Sequence, residues 1–194
     1  MWGDVPIVLC AEADYVGPTE AYVRKYPIDV AERIPLADLA KPYNLTFLYS
    51  DFYIKENINL VCRMTPKIKN FIFIGDGRQS NQTNDWLIRQ ELKKNYPEVN
   101  YRFLSPQQLS ANELLDTLYT IDPQTTGILF SSWIYKRSFA GNTSLVTNFH
   151  QLIATAPVPL FTIGMVTVKD TAGGMLGGYV FDQDRYNRNV VNYL

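Results

Sequence analysis

Histidine and cysteine are almost missing from this chain, which has one of the former and two of the latter in 194 residues. A structural zinc site draws on several such ligands close together, so composition argues against a zinc-built fold. Cys10 ends an apolar run, and Cys62 sits in a helical pattern four residues after Ile58. Both read as small core residues rather than as a disulfide pair or metal ligands, which leaves the redox compartment open. The lone histidine, His150, lies beside Phe149 in a helical pattern and away from strand ends. No Ser-His-Asp or Cys-His set can be assembled around it, so hydrolase chemistry is disfavoured and the residue reads as structural or solvent-facing.

Excess charge of either sign is also lacking. Lys and Arg number 18 against 19 Asp and Glu. Such a balance supplies no net field to steer the protein onto nucleic acid or an anionic membrane. No apolar run approaches the roughly 20 residues that span a bilayer. The start, Met1 to Pro6, has no basic segment leading into an apolar one, so neither signal peptide nor anchor is expected. A chain that begins just before an apparent strand reads as a domain cut from something longer.

What is present is a substantial core. Hydrophobic side chains make up 46% of the chain, enough for one good core or one core plus a partial second lobe. Val5 to Cys10 suits a buried strand. Between Val16 and Asn44, Pro18, Pro27, Pro35 and Pro42 break the pattern, which predicts loop with short helical turns. From Asp51 to Met64, the residues Ile54, Ile58, Val61 and Met64 recur at helical spacing before Pro66, and Asn70 to Ile74 follows as a strand. A helix carrying Ile88, Leu92 and Tyr96 stops at Pro97, and Tyr101 to Leu104 gives another strand. Ser110 and Glu113 fit a capping box ahead of Leu114, Leu115 and Leu118. Gly127 to Phe130 is the next strand. Leu145, Val146, Phe149, Leu152 and Ile153 form an apolar helical face closed by Pro157, before the strand Leu160 to Ile163. Met175 to Val180 makes a last strand, and Asp182 caps a helix bearing Tyr186, Val190 and Val191.

Strands alternating with helices imply parallel pairing through right-handed crossovers. The predicted fold is a three-layer α/β/α, doubly wound sheet of five parallel strands in the flavodoxin-like order 2-1-3-4-5, with residues 1–50 as a preceding portion and linker and 51–194 as the α/β domain. In that order the switch point lies between the strand before Asp76 and the strand ending at Phe130, where open sheets bind ligands. Asp76, Gly77, Gln79 and Ser80 are therefore candidate ligand contacts, against the plainer reading of a tight turn that caps a helix. Ser131, Ser132, Trp133 and Tyr135 offer hydroxyls and an aromatic platform, unless Trp133 packs beneath the next loop. Gly164 and Met165 complete the set, with 169–174 as a hinge, a lid or a plain surface loop. Gly75-Asp76-Gly77 lacks the third glycine of a dinucleotide fingerprint, and no triphosphate loop is present. Neither a metal nor a catalytic set is expected, and no cofactor. Asp182 and Asp184 read as helix-start carboxylates.

The run Pro157-Val158-Pro159-Leu160-Phe161-Thr162-Ile163-Gly164-Met165, then Gly173-Gly174-Met175-Leu176-Gly177-Gly178-Tyr179-Val180 and the helix from Asp182, resembles the closing segment of type 1 periplasmic binding proteins. Asp4-Val5-Pro6-Ile7-Val8-Leu9 resembles the last strand of that family's first lobe, and Thr65 to Asp76 its second-lobe entry strand. The resemblance covers roughly residues 4 to 194. It implies one lobe of a two-lobed fold that closes on a small polar ligand, such as a sugar or other metabolite. Family members serve as extracytoplasmic sensor portions of two-component histidine kinases, hybrid kinases included, and as solute-binding subunits of ABC transporters. The resemblance thus implies a non-catalytic, periplasmic sensing fragment. Its partners would be the missing first lobe and the transmembrane and kinase portions of the same protein. Faces normally covered by the first lobe leave homodimerisation open. The chain departs from the family at Arg78-Gln79-Ser80-Asn81 and at Asp184-Arg185-Tyr186-Asn187, where many members carry glycine, so ligand identity does not carry over. From a different class, a flavodoxin-like module holding a flavin or nucleotide phosphate at Gly75 to Gln82 is the competing reading.

Overall fold

The structure, a computed structural model, describes residues 5–11, 13–50, 52–136, 143–145, 153, 155–163 and 175–192. Along the chain run β1 (Ile7–Ala11), β2 (Tyr15–Val16), α1 (Thr19–Arg24), β3 (Ile34–Pro35), α2 (Leu36–Ala40), β4 (Leu45–Tyr49), α3 (Ile54–Met64), β5 (Asn70–Ile74) and α4 (Gln79–Asn95). There follow β6 (Asn100–Leu104), α5 (Ala111–Thr120), β7 (Thr126–Phe130), β8 (Ile134–Lys136), β9 (Thr143–Leu145), β10 (Leu160–Thr162), β11 (Met175–Gly177) and α6 (Gln183–Asn192). The chain packs as two units, one of Met1–Phe52 with Phe181–Leu194 and one of Tyr53–Val180. The break falls beside the boundary expected near residue 50. The last helix, expected to end the α/β domain, instead belongs with the N-terminal segment.

In the first unit β1 and β4 pair in parallel, from Ile7 opposite Leu45 to Ala11 opposite Tyr49. The proline-broken segment between them holds the short helices expected of it, together with a two-residue antiparallel bridge of Tyr15–Val16 with Ile34–Pro35 that was not expected. Arg33 stacks its guanidinium 4.3 Å from the Tyr15 ring centroid. Tyr186 of α6 donates its hydroxyl to the Leu48 carbonyl at 3.0 Å and meets Phe181 edge-on at 4.8 Å. Cys10 is exposed, which corrects the expectation of a core residue. Its ladder has two strands among the described residues, and the Cys10 side chain lies beside Tyr186 of α6 without being buried by it.

The second unit is a mixed α/β domain on a sheet of five parallel strands, ordered β6-β5-β7-β10-β11 and flanked by helices. Strand β5 lies one in from the edge, and each of its residues pairs with β6 on one side and β7 on the other. Side chains alternate across the sheet. Ile72, Ile74, Leu104, Ile128, Phe130 and Leu160 face Leu114 and Leu118 of α5, together with Ile153, Val158 and Trp133. Burying each of these large side chains contributes roughly 1.5–3 kcal/mol. Gly127 lies on the opposite face. A Cβ there would run into Val61 of α3 and come within 3.0 Å of Ile68 Cδ1, so its absence lets α3 seat closely on β7. Helix α4 packs against α3 on that side.

The helices form where their apolar spacing directs. In α3, Ile54, Ile58, Val61 and Cys62 are buried on one stripe. Met64, expected to extend that stripe, is 61% exposed, because the helix ends there and Thr65 turns the chain toward β5. Asn57 is the polar member of the buried face. Its amide nitrogen donates to the carbonyls of Tyr53 and Tyr179, at 3.1 and 2.9 Å, and its oxygen accepts from Tyr179 N–H at 2.8 Å. It thereby fixes the segment that follows β11. Helix α5 opens on a reciprocal cap. Ser110 Oγ accepts from Glu113 N–H at 3.3 Å, and Glu113 Oε2 accepts from Ser110 N–H at 2.7 Å.

One expected helix differs. Leu145, assigned to an apolar helical face, lies in β9, which pairs antiparallel with β8 as a two-stranded ribbon after β7. Ile153 is helical and buried. Val146, Phe149, His150 and Leu152 lie outside the described residues.

Asn84 on α4 is 2% exposed, and its amide nitrogen has no hydrogen-bond partner among the described residues. A buried unsatisfied amide costs about 1–3 kcal/mol. The substitution Asn84→Leu is expected to raise stability by about 1 kcal/mol, a rise in Tm of roughly 2–4 °C for a chain of this size. Thermal unfolding followed by circular dichroism measures this, and an unchanged or lowered Tm would count against the orphaned amide as a liability.

Candidate functional site

Four parallel strands, β5, β6, β7 and β10, deliver their carboxyl ends to one rim, and backbone hydrogen bonds continue the ladder beyond them. Gly75 N–H donates to Leu104 O at 3.1 Å, Ser131 N–H to Ile74 O at 2.9 Å, and Ile163 N–H to Phe130 O at 3.1 Å. The loops after β5 and β7 are thus held side by side, which puts Asp76 and Ser132 in direct contact although 56 positions separate them.

Asp76 is fully enclosed, its side chain 1% exposed. Its Oδ1 accepts from Arg78 N–H at 3.0 Å, from Arg78 Nε–H at 2.9 Å and from Asn81 Nδ2–H at 3.0 Å. Its Oδ2 accepts from Ser132 Oγ–H at 2.7 Å and from Arg78 Nε–H at 3.1 Å. Burial by itself would raise this carboxyl. The hydrogen bonds from the Arg78 side chain and backbone, with that from Ser132, outweigh it and hold the group below the usual carboxylate range. With both oxygens saturated, Asp76 is a structural anion. Among the described residues both of its oxygens are engaged by Arg78, Asn81 and Ser132.

Arg78 is the outward half of this arrangement. Its guanidinium is pinned from behind by Asp76 and from one side by Ser132 Oγ, which accepts from Nη2 at 2.7 Å. Asn81 donates to the same oxygen at 2.8 Å. The Arg78 side chain is still 54% exposed. Nη1 makes no hydrogen bond among the described residues, so a planar N–H edge faces solvent in a fixed orientation. Arg78 is also the N-cap of α4. It gives the helix no side-chain cap, and no acidic residue lies in the first turn. The N–H groups that open α4 therefore share the rim with the arginine.

The other sequence candidates fall around this core. Gly77 lies against the amide of Gln107, whose far end a Cβ at Gly77 would displace. Gln79 is half-buried, and its Oε1 accepts from Thr83 Oγ1–H at 3.1 Å. Ser80 is half-buried in the first turn of α4 and Ser131 is half-buried on the adjacent loop. Trp133 is 2% exposed and packed with Ile74, Leu114 and Leu118. It is a core residue beneath the loop, so the open aromatic platform is corrected. Gly164 and Met165 lie outside the described residues, as do 169–174. Among the described residues no group of three or more His, Cys, Asp or Glu is gathered to hold a metal.

Arg78 and Asn81 were not among the sequence candidates. The signal was an Asp-x-Arg pair in a loop closing a buried strand, with an Asn three positions further on the inward face of the helix. Comparison with known protein families, curated proteins and solved structures finds no match for this chain. The site therefore rests on its geometry.

Because the native Asp76 carboxyl is held low, its contribution to stability is full above the unfolded value of about 3.9 and is lost as pH falls through the lower native value. Asp76→Ala should destabilise the protein by about 2–4 kcal/mol, since Arg78, Asn81 and Ser132 lose a shared buried acceptor. Asp76→Asn should flatten the acid limb of stability. Urea unfolding at a series of pH values between neutral and acid reads both effects, and an unaltered acid limb in the Asn variant would show that another carboxyl governs it.

Proposed function

We propose that the second unit is the ligand-receiving lobe of an extracytoplasmic, periplasmic sensing domain of the type 1 periplasmic binding class, belonging to a two-component histidine kinase. A small, polar, oxygen-rich molecule docks on the rim around Arg78, Ser131 and Ser132. Its contacts bias the closure of two lobes, and the change passes to a kinase portion elsewhere in the protein. The observation that carries this reading is the Asp76–Arg78–Ser132 arrangement at the strand-order reversal between β5 and β7. A buried anion there fixes a half-exposed cation with free donors, which is how a site is organised before its ligand arrives.

The first unit supports a further lobe. Parallel sheets are normally covered on both faces, and two strands alone are marginal. In β1 and its flank, Val5, Leu9 and Cys10 are exposed, as are Val23 at 73% and Val30 at 64%. Additional strands and helices of a first lobe would cover such a surface. The fragment itself performs no chemistry in this reading. Among the described residues no helix is long and apolar enough to cross a membrane, so the membrane and kinase portions are assigned to other parts of the protein.

The test is a thermal-shift screen of sugars, amino acids and small carboxylates on the chain extended to include a first lobe. At least one compound should raise Tm in a concentration-dependent way. Arg78→Lys keeps the charge beside Asp76 but loses the planar fork. It should weaken that ligand by roughly tenfold to a hundredfold, the range for a hydrogen bond to a charged group, and it should also lower the unliganded Tm, since the Nε bonds to Asp76 and the Nη2 bond to Ser132 are lost, so affinity is compared at a temperature where both proteins are folded. A ligand held equally well by the Lys variant would place recognition elsewhere. Absence of any stabilising small molecule would favour a protein partner.

A further inference from the structure

A second concavity lies on the same rim, beyond β6. Pro106, Gln107, Gln108, Leu109, Ser110 and Ala111 line it together with Trp133, and its volume is about 440 Å³. That is within the span of small-molecule sites. Everything that lines it belongs to the second unit.

No charged side chain lines its wall, and one carboxylate, that of Glu113, stands at its edge. The amino end of α5 opens onto it, but Glu113 already occupies that end. Its carboxylate accepts from both the backbone N–H and the hydroxyl of Ser110, each at 2.7 Å. Backbone and side-chain hydrogen bonds from Ser110 hold Glu113 below its ordinary range, so it stays ionised. An anionic ligand would meet this fixed negative charge and find no cation in the lining. The apolar part comes from Pro106, Leu109, Ala111 and Trp133. The polar part comes from the Gln107 and Gln108 side chains, whose amides make no hydrogen bond among the described residues. An amide presents a donor and an acceptor side by side, which matches a donor–acceptor edge on a neutral partner.

We propose that this pocket is a binding site for a small neutral heterocycle or cyclic amide, with an amide-like edge on Gln107 and Gln108 and its apolar body against Leu109, Ala111 and Trp133. It is separate from the charged rim at Arg78. Gly77 links the two, because the Gln107 amide rests where a Cβ at Gly77 would be. Any side chain at Gly77 shifts that amide, and the displaced group is the flexible end of a side chain, so the fold is retained.

The experiment uses the isotope-labelled protein in NMR titrations with nicotinamide and uracil as neutral probes and nicotinate as the charged isostere of the first. Saturable shifts are expected in the amide signals of Gln107 to Ala111 and in the Trp133 indole signal with a neutral probe, and none with nicotinate at equal concentration. The double substitution Gln107→Ala, Gln108→Ala removes exposed side chains only and should weaken binding by roughly threefold to tenfold. Gly77→Ala should weaken it as well. The proposal is overturned if neither neutral probe gives saturable shifts at millimolar concentration, if nicotinate binds as well as nicotinamide, or if the double variant binds unchanged. Signals of Arg78, Ser131 and Ser132 report on the rim separately, so failure of the pocket and failure of the rim are distinguishable.

Discussion

Strand β5 is hydrogen-bonded in parallel on both edges along its whole length, and the rest of the second unit follows from that constraint. The two residues that follow it, Gly75 and Asp76, are buried with it. A buried carboxylate must find donors or lose its charge. The donors it finds come from the turn it opens, from the helix that follows, and from the loop of the neighbouring strand. The site is thus a by-product of satisfying one group buried at the end of this strand.

The two helices that begin on this rim solve the same problem in opposite ways. Each starts with unpaired N–H groups. At α5 the cap is local and closed, with Ser110 and Glu113 binding each other's backbone. At α4 the N-cap Arg78 turns its side chain back to Asp76, and Asp76 accepts the Arg78 N–H in an Asx-type turn. One end is electrically finished and borders a neutral pocket. The other keeps open donors beside a guanidinium. The difference in what each part of the rim presents comes down to whether an acidic side chain stands in the first turn.

Much of this architecture was legible in the residues, because its signals are local. The apolar run at Phe71 to Ile74, the helical stripe of Ile54, Ile58 and Val61, and the Ser110–Glu113 pair each declare themselves within a few positions. The features that stayed hidden depend on distant partners. Leu45–Tyr49 was not assigned as a strand, since its pairing is with β1 and its short sequence follows a proline-broken stretch. The burial of Trp133 is decided by leucines of α5, and Cys10 lies beside Tyr186, far along the chain. The role of Arg78 depends on Ser132, 54 positions away. Its sequence neighbours describe an ordinary turn, and only the sheet order converts that turn into a site.

Ion pairs elsewhere in the chain show why the one at Asp76 is different. Arg24 with Glu20 and Lys41 with Asp38 lie on exposed helix surfaces, with side chains 53–75% exposed, and such pairs contribute little. Arg89 meets Asp85 with the carboxylate largely covered, and Tyr101 donates to the same group at 2.6 Å. That cluster pins α4 to β6 through three groups that use one another up. At Asp76 the asymmetry is greater, 1% exposure on the acid against 54% on the base. Replacing Asp76 alone strands the donors of Arg78, Asn81 and Ser132, but exchanging a whole buried ion pair for well-packed apolar residues is commonly neutral for stability. What an apolar residue could not supply is a guanidinium held in one orientation at the edge of the sheet. The buried charge is therefore better explained by the direction it gives to Arg78 than by the stability it adds.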